Sequence, residues 1–418
     1  MTTNIFKDKK ILILAGKPIG SLDIVKYAQS LGAYVIVTDY LDPKDSPAKQ
    51  IADEYWNIST ADVDTLAEKA LQTGVDAVFT GVHDFNINMA QKLCEKLNLP
   101  FYATKKQLSQ TSDKDFYKNL FKQYGVPVIE EYSINSKDIK YPVIVKPVDS
   151  SGAYGVKICN NQNELLKNYN SALEFSESKK VLIERYIDGE EVTIEYLLQD
   201  GDIQLIGMAD RHIVQFEKGV LPLPDYYIWP SKYLAHFEHN FNEKIINALK
   251  SLDLKNGMLF IQAKVDGKEI KPYDMGFRLS GTQEYRIFEK ICGVNPLNMM
   301  TNYALTGKMS EHVFKVNADY DISGANITFL AKPSKIGSFI GLDDVNAMKG
   351  VIAVVKNKLE NETIPDSALG TLNQVVLRVF VIADDRASLI EKIKEIRLMV
   401  QVLDKSGHNI LYKEQHNV

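Results

Sequence analysis

The first hundred residues alternate short, wholly apolar runs with helical stretches, and this restricts that part of the chain to a small open parallel sheet. Ile11-Leu-Ile-Leu-Ala15 is a run of the kind buried on both faces. A helix from about Ser21 to Leu31 follows, Gly32 stands where a helix C-cap favours glycine, and Tyr34-Val-Ile-Val-Thr38 is the second strand. Helices near Asp62–Gln72 and Phe85–Leu97 flank the strand Ala77–Thr80, and a short strand is expected at Pro100–Tyr102. The rhythm implies a doubly wound α/β domain. Asp39 ends the second strand where a dinucleotide ribose would be held, but Gly16-Lys-Pro-Ile-Gly20 does not supply G-x-G-x-x-G. Lys17-Pro18 also stands where backbone must approach a pyrophosphate, so a packed domain with an ordinary strand-end aspartate is the favoured reading.

From about Lys105 the rhythm changes. Thr111-Ser-Asp-Lys114 caps a helix reaching about Tyr124, Gly125–Val128 opens a strand, and Tyr141–Lys146 is another that ends in a lysine. The loop Asp149-Ser-Ser-Gly-Ala-Tyr-Gly155 leads to a strand at Val156–Cys159 and a helix near Asn163–Phe175. Lys180–Ile187 is a strand running into a hairpin-type turn at Asp188-Gly189. Val192–Leu198 and Ile203–Met208 alternate as antiparallel strands, His236–Leu252 is helical, and a hairpin at Met258–Gly276 carries Asp266-Gly267 at its tip. Helices near Gln283–Ile291 and Pro296–Leu305 close this section. After Gly307, strands are expected at Asn326–Leu330, Val351–Val355 and Gln374–Ile382, followed by an amphipathic helix at Arg386–Gln401. With no internal repeat or low-complexity linker, the boundaries fall at turns, giving domains over 1–104, 105–310 and 311–418.

Composition narrows the function classes. The 418 residues carry a net charge of -5, which argues against a dedicated nucleic-acid binder. No apolar run approaches the roughly 20 residues of a membrane span, and the N-terminal residues lack a signal peptide's apolar core. Cys94, Cys159 and Cys292 are far apart and match no metal spacing, which fits a reducing cytoplasm.

The most informative chemistry lies after Lys146. Small residues let backbone N–H groups fold over phosphate oxygens, and a lysine at the strand end adds a point charge. A mobile hairpin tip beside a solvated lysine is the bland alternative, and the loop is not a Walker A loop. The surrounding order decides between them. Asp113-Lys114 on a capped helix, Tyr141–Lys146 with its Gly/Ser loop, Glu184-Arg-Tyr-Ile187 with Glu191, then Asp274 and Arg278 together resemble the ATP-grasp superfamily. The likeness is nearest to biotin-carboxylase-like members and L-amino-acid ligases. It implies an ATP-grasp core whose central flap lobe spans about 130–188, preceded by an α/β domain and followed by a β-rich C-terminal extension.

The resemblance assigns roles position by position. Lys114 and Lys146 would contact ATP phosphates, with Lys146 steadying charge during phosphoryl transfer, and Ser150, Ser151 and Gly152 would form the flap over the triphosphate. Glu184 and the backbone of Arg185, Tyr186 and Ile187 would read the adenine edge. Glu191 would accept hydrogen bonds from the ribose hydroxyls. Arg278 would fork the substrate carboxylate and the acyl-phosphate made from it. Arg211, His212, Arg286 and His83-Asp84 are candidates for the border of the same cleft.

The metal site departs from the family. Positions that normally read Glu, Glu or Asp, Asn and Arg are here Gln262, Asp274, Gly276 and Arg278. Mg²⁺ prefers charged oxygen ligands, so one ion carried by ATP and held at Asp274, with Gln262 beside it, fits better than a two-ion site. A two-residue turn at Asp266-Gly267 would point Gln262 and Asp274 to opposite faces of the hairpin. A three-residue loop from Val265 to Gly267 with a bulge would bring them to one face, and family membership implies the latter.

The implied activity is ADP-forming ligation: a carboxylate becomes an acyl-phosphate and a small-molecule amine displaces phosphate to give an amide. A bicarbonate-using carboxylase or carbamoyl-phosphate-synthetase-like enzyme is one rival, and a catalytically weakened ATP-binding protein is another. The expected partners are small molecules, with no nucleic acid and no membrane. Relatives of this architecture commonly form homodimers.

Overall fold

The computed structural model describes residues 5–148, 155–215 and 222–412. Ser150, Ser151 and Gly152 of the expected flap lie outside the described residues. Strands β1 (Lys10–Leu14), β2 (Tyr34–Thr38), β3 (Glu54–Trp56) and β4 (Ala77–Thr80) form a parallel sheet in the order β3-β2-β1-β4. β3 replaces the strand expected at Pro100–Tyr102, which is irregular. Its three residues alternate in exposure at the sheet edge, a signal too short to read as periodicity. Asp39 is consumed internally: its carboxylate accepts from the Gly16 and Leu41 N–H groups and the Ser46 hydroxyl, and pairs with buried Lys49 at 2.8 Å. A carboxylate so occupied is not available to a ribose.

β5 (Glu131–Tyr132), β6 (Val143–Pro147), β7 (Lys157–Cys159) and β8 (Val181–Arg185) make a second sheet, β5-β8-β6-β7, covered by the helix Gln162–Phe175. The strand expected from Gly125 begins only at Glu131, because residues 126–130 run irregularly past the helix Lys114–Gln123. Asp188-Gly189 is not a hairpin turn. β8 belongs to this sheet and the next strand to another, so the segment is a crossover, and a Cβ on Gly189 would lie 2.5 Å from the Val265 carbonyl.

The remaining strands are β9 (Glu191–Gln199), β10 (Asp202–Val214), β11 (Leu223–Trp229), β12 (Gly257–Asp266), β13 (Glu269–Gly276), β14 (Ser323–Leu330), β15 (Ser334–Ile340), β16 (Val351–Lys356), β17 (Thr363–Ile364), β18 (Val375–Ala383) and β19 (Gln401–Asp404). Eight of them form one antiparallel sheet, β13-β12-β9-β10-β11-β14-β18-β16, while β17-β15-β19 form a small satellite. The central sheet therefore runs from the expected ATP-grasp segment into the C-terminal segment. β11 is not evident in the sequence, because Pro224 interrupts its pattern and its residues are buried on both faces.

The hairpin β12–β13 corrects both turn geometries weighed above. Asp266 pairs with Glu269, so the two-residue turn is Gly267-Lys268, with Gly267 at φ 63°. A bulge further along leaves Tyr273 unpaired between Asp274, opposite Gln262, and Pro272, opposite Ala263. The extra residue shifts the alternation by one, and Gln262 and Asp274 become directly opposed neighbours on one face.

Close packing of the helix Tyr285–Ile291 on the central sheet depends on small residues beneath it. A Cβ on Gly207 would lie 2.5 Å from Cε1 of Phe288, which is fully buried. Gly207 sits beside a bulge in the β9–β10 pairing. The substitution Gly207→Ala is expected to cost about 1–3 kcal/mol through overpacking, read as a lower denaturant midpoint at unchanged m-value. An unchanged midpoint would mean that this helix does not hold its close seat.

Candidate functional site

The site is built on one face of the central sheet. Register places Asp274 opposite Gln262, Lys264 opposite Glu191, Glu191 opposite Arg211, and Arg211 opposite Tyr227. Directly opposed residues share a face, so the row crosses five strands. Glu191, expected to meet a ribose, is buried here among cations. It pairs with Arg211 and, at 2.9 Å, with Lys264, and it accepts the Tyr273 hydroxyl at 2.9 Å. Arg211 also donates to the hydroxyls of Tyr227 and Tyr273. Burial and the neighbouring Arg211 pull Lys264 down to about 8.

Above one end of this row lies a buried lysine cluster. Asp113 caps the helix Lys114–Gln123 by accepting the Phe116 N–H, which fixes Lys114 in the first turn and Lys118 one turn later on the same side. Lys114 Nζ lies 3.5 Å from Asp274 Oδ1. Lys118 pairs with Glu131 and Glu184, and Lys146, at the end of β6, approaches Glu184 to 2.6 Å and donates to the Tyr273 carbonyl at 3.3 Å. Burial alone would lift the Glu184 carboxyl, but Lys146 and Lys118 overcome it and hold the group below its ordinary value. For Lys146 burial wins: its ammonium is pulled below the ordinary lysine value, with Glu184 opposing and Lys114 and Lys118 adding to the repulsion. Arg185 turns away to Asp266 and Glu130, and the N–H groups of Arg185 and Tyr186 are used by the Glu130 and Pro142 carbonyls. Ile187 is buried.

Arg278 already grips a carboxylate. Its Nε and Nη2 reach the two oxygens of Asp84 at 2.5 and 3.2 Å, a bidentate fork from the core to the residue after His83 in the N-terminal segment. The guanidinium lies 5.0 Å above the Phe260 ring. Burial and then Arg278 depress His83. Arg286 pairs with Asp23 of the first helix, so it too bridges segments. His212 does not share the face of Arg211; it stacks on Tyr226 at 4.1 Å on the other side of the sheet.

The residues expected at a metal position meet apolar packing. A Cβ on Gly276 would lie 2.6 Å from Phe260, its directly opposed neighbour, so the phenyl ring fills the space an asparagine would take. Among the described residues no group of three or more His, Cys, Asp or Glu side chains could hold a metal ion. One carboxylate, Asp274, one amide, Gln262, and the Thr193 hydroxyl opposite Gln262 fit a single ion that arrives with nucleotide phosphates. They do not fit a two-ion centre.

Sequence reasoning missed Lys118, Lys264, Tyr227 and Tyr273. Lys118 follows Lys114 by four residues, and Lys264 follows Gln262 by two on the same strand face, so both were open to a periodicity argument. Tyr273 reaches the site through the bulge, and Tyr227 lies on a strand the pattern hid.

Residues 139–284 match the ATP-grasp domain family. The chain is 27% identical over 194 residues to formate-dependent phosphoribosylglycinamide formyltransferase of Prochlorococcus marinus (strain NATL1A), covering 44% of this chain and 49% of that protein. It is 27% identical over 270 residues to the carbamoyl phosphate synthase large chain of Caldanaerobacter subterraneus subsp. tengcongensis, covering 62% and 24%. The matches thus span about half, or less, of these curated relatives. Among solved structures, the L-amino acid ligase from Bacillus licheniformis superimposes with a TM-score of 0.78 at 17% identity, covering 96% of this chain and 99% of that one. Phosphoribosylglycinamide synthetase from Anaerococcus prevotii gives 0.72 at 18%, covering 95% and 100%. The biotin carboxylase domain of Hydrogenobacter thermophilus 2-oxoglutarate carboxylase, a dimer in complex with MgADP, ADP and bicarbonate, gives 0.76 at 18%, covering 94% and 90%. At such identities the likeness is one of fold, and together with the family match it has a plain meaning: residues 139–284 are an ATP-grasp domain, and the chain around them takes the ATP-grasp fold.

Proposed function

We propose that the chain is an ATP-dependent, ADP-forming ligase that activates a substrate carboxylate as an acyl-phosphate and joins it to an amine. The observation that carries this reading is the Arg278 fork. It closes bidentately on a carboxylate, four residues beyond the Asp274 that Lys114 approaches. Carboxylate recognition and a cluster of phosphate-binding cations therefore meet at one strand end, which suits transfer of a phosphoryl group onto a carboxylate. Asp84 is read as the group that stands in for the substrate carboxylate.

In this mechanism Lys114 and Lys146 hold the transferring phosphate and neutralise its charge, Glu184 and the Tyr273 carbonyl aim Lys146, and Arg278 orients the attacking carboxylate oxygen. Ser150, Ser151 and Gly152, outside the described residues, are assigned the covering of the triphosphate by the family resemblance alone. The adenine is taken at the Ile187 end of the segment, because the Glu184 carboxylate is held by lysines and the Arg185 and Tyr186 N–H groups are already bonded; Glu191 takes the ribose, exchanging part of its contact with Arg211 and Lys264. A Mg²⁺ ion, held by the nucleotide phosphates with Asp274 and Gln262, would supply further charge neutralisation. The dimeric biotin carboxylase relative supports a homodimer, and no helix among the described residues is long and apolar enough to cross a membrane.

ADP release measured across a panel of carboxylic acids and amines tests the assignment. Turnover that requires both an acid and an amine is expected, and saturable ATP binding with no turnover across the panel would favour the nucleotide-binding alternative. Arg278→Lys keeps the charge but loses the fork, and should lower kcat/KM for the acid by about 10²-fold while sparing ATP binding. Because one ion is expected, ADP formation should saturate at Mg²⁺ equal to ATP, and further activation by excess free Mg²⁺ would contradict a single-ion site.

The lysine cluster sets a pH dependence. Glu184 titrates below its ordinary value of 4.5 when folded, so the unfolded chain binds its proton first as pH falls. Its contribution to stability is complete above that ordinary value and is lost as pH drops through the lower folded one. Glu184→Gln removes this contribution and strands Lys146 without its counter-ion, costing about 3–5 kcal/mol near neutral pH. Denaturant unfolding between pH 3 and 7 should show a lower and flatter stability profile for the variant; parallel profiles would exclude Glu184 as the anchor.

A further inference from the structure

We infer that Asp84 is the binding site of the amine substrate: the acid displaces its carboxylate from the Arg278 fork, and the freed carboxylate holds the incoming ammonium beside the acyl carbon. The Arg278 guanidinium is already committed on its other sides. Phe260 lies against its face at 5.0 Å, and Nη1 donates to the Leu279 carbonyl at 3.0 Å. Nε and Nη2 are both spent on Asp84, at 2.5 and 3.2 Å. A substrate carboxylate therefore takes the same fork only by exchanging with Asp84. The exchange costs little at Arg278, where one carboxylate replaces another. It strips Asp84 of Arg278, the only cation its carboxylate pairs with among the described residues.

Where the displaced carboxylate goes is set by the backbone on either side. Asp84 is the first residue of the helix Asp84–Leu97, and the helix N-terminus favours a negative charge there. The loop before that helix abuts the loop after Arg278, since a Cβ on Gly281 would reach Val82 at 4.0 Å. The Tyr102 hydroxyl donates to the Phe277 carbonyl at 3.1 Å, and its ring packs edge-on against Phe277. Asp23 of the first helix accepts from the Tyr285 hydroxyl at 2.5 Å and pairs with Arg286. These ties hold the N-terminal segment against the core, so the exchange is a side-chain rotation that leaves Asp84 next to the carboxylate that displaced it. Its side chain is 44% exposed, against 15% for Arg278, so a cation can reach it from solvent. An ammonium bound there stands beside the acyl-phosphate made at Arg278, which is the proximity that amide formation needs. The ammonium gives one proton to solvent, its lone pair forms the C–N bond as the acyl C–O bond to phosphate breaks, and a second nitrogen proton leaves with the phosphate. The amine that fits is one protonated in solution, an alkyl amine and not an amide or an aryl amine. The identification of the bound cation as a substrate rests on the ligase reading above; the exchange of carboxylates at Arg278 does not.

Calorimetry on the full chain without nucleotide tests the exchange, with propionate and propylamine as probes. Asp84→Asn keeps the side-chain size and removes the competing charge. Propionate should bind it roughly 10- to 100-fold more tightly than it binds the wild type, because an internal carboxylate competes at a high effective concentration. Propylamine should bind the wild type only with propionate present, and should not bind Asp84→Asn under either condition. Asp84→Glu restores the carboxylate and should bind propylamine in the presence of propionate; this result and the wild-type dependence stand even if Asp84→Asn does not fold. The proposal is overturned if Asp84→Asn binds propionate no better than the wild type, which is the result for a purely structural bridge. It is equally overturned if propylamine binds the wild type without propionate or not at all, if it binds Asp84→Asn, or if it fails to bind Asp84→Glu. In turnover with the acid and amine found by ADP release, Asp84→Asn should lower KM for the acid and raise KM for the amine, and shifts in the same direction would contradict the exchange. Binding results as expected in a wild type that turns over no acid and amine would support the exchange and count against the ligase reading alone.

Discussion

The pairing of β11 with β14, from Tyr226 opposite Ile327 to Trp229 opposite Gly324, is the contact on which the rest of the structure depends. It joins strands from the ATP-grasp segment and the C-terminal segment into one hydrogen-bonded sheet, so the two cannot drift apart without breaking backbone bonds. It also fixes register across the junction, and register decides which side chains share a face. Lys264, Glu191, Arg211, Tyr227, Asn326 and, one step along, Thr328 and Arg378 fall into one row for that reason. Gly207 and Gly324 keep the sheet surface low beneath the helix Tyr285–Ile291, which brings Glu284 and Arg286 down to the row.

On this frame the site concentrates charge in places shielded from water. Glu184 between Lys118 and Lys146, and Glu191 between Arg211 and Lys264, are arrangements in which each carboxylate is shared by two cations. Such clusters hold ammonium and guanidinium groups in position before a ligand arrives, which lowers the reorganisation a phosphoryl transfer would require. Beside Gly276 the trend is opposite: Phe260 fills the volume a side chain there would take and supports the Arg278 guanidinium, so apolar packing and not charge lines this end of the hairpin.

Much of this was legible in the sequence because it rests on local signals. The apolar runs at Ile11, Tyr34 and Ala77, the Asp113 cap, and the lysine ending Tyr141–Lys146 each lie within a few residues of the feature they specify. What escaped is set by long-range pairing. β3 is a three-residue edge strand, β11 has no alternation because both its faces are covered, and the Asp188-Gly189 turn reads as a hairpin until its flanking strands join different sheets. The Tyr273 bulge is the sharpest case: one unpaired residue decides whether Gln262 and Asp274 face each other, and nothing in Pro272-Tyr273-Asp274 announces it. The partners of Arg278 and Arg378 are likewise products of tertiary packing, so the same residue type reads alike in sequence while one meets a carboxylate and the other a hydroxyl and an amide oxygen.

The central claim is that phosphate passes from ATP to a carboxylate held at Arg278 before any amine reacts. Positional isotope exchange tests it most directly, by following movement of ¹⁸O between the β-nonbridging and β,γ-bridging positions of labelled ATP with the acid present and the amine withheld. Exchange that depends on the acid and is lost in Arg278→Lys is the predicted result. Exchange that proceeds without acid, or acid- and amine-dependent ADP release with no exchange under any reversible condition, would contradict the account.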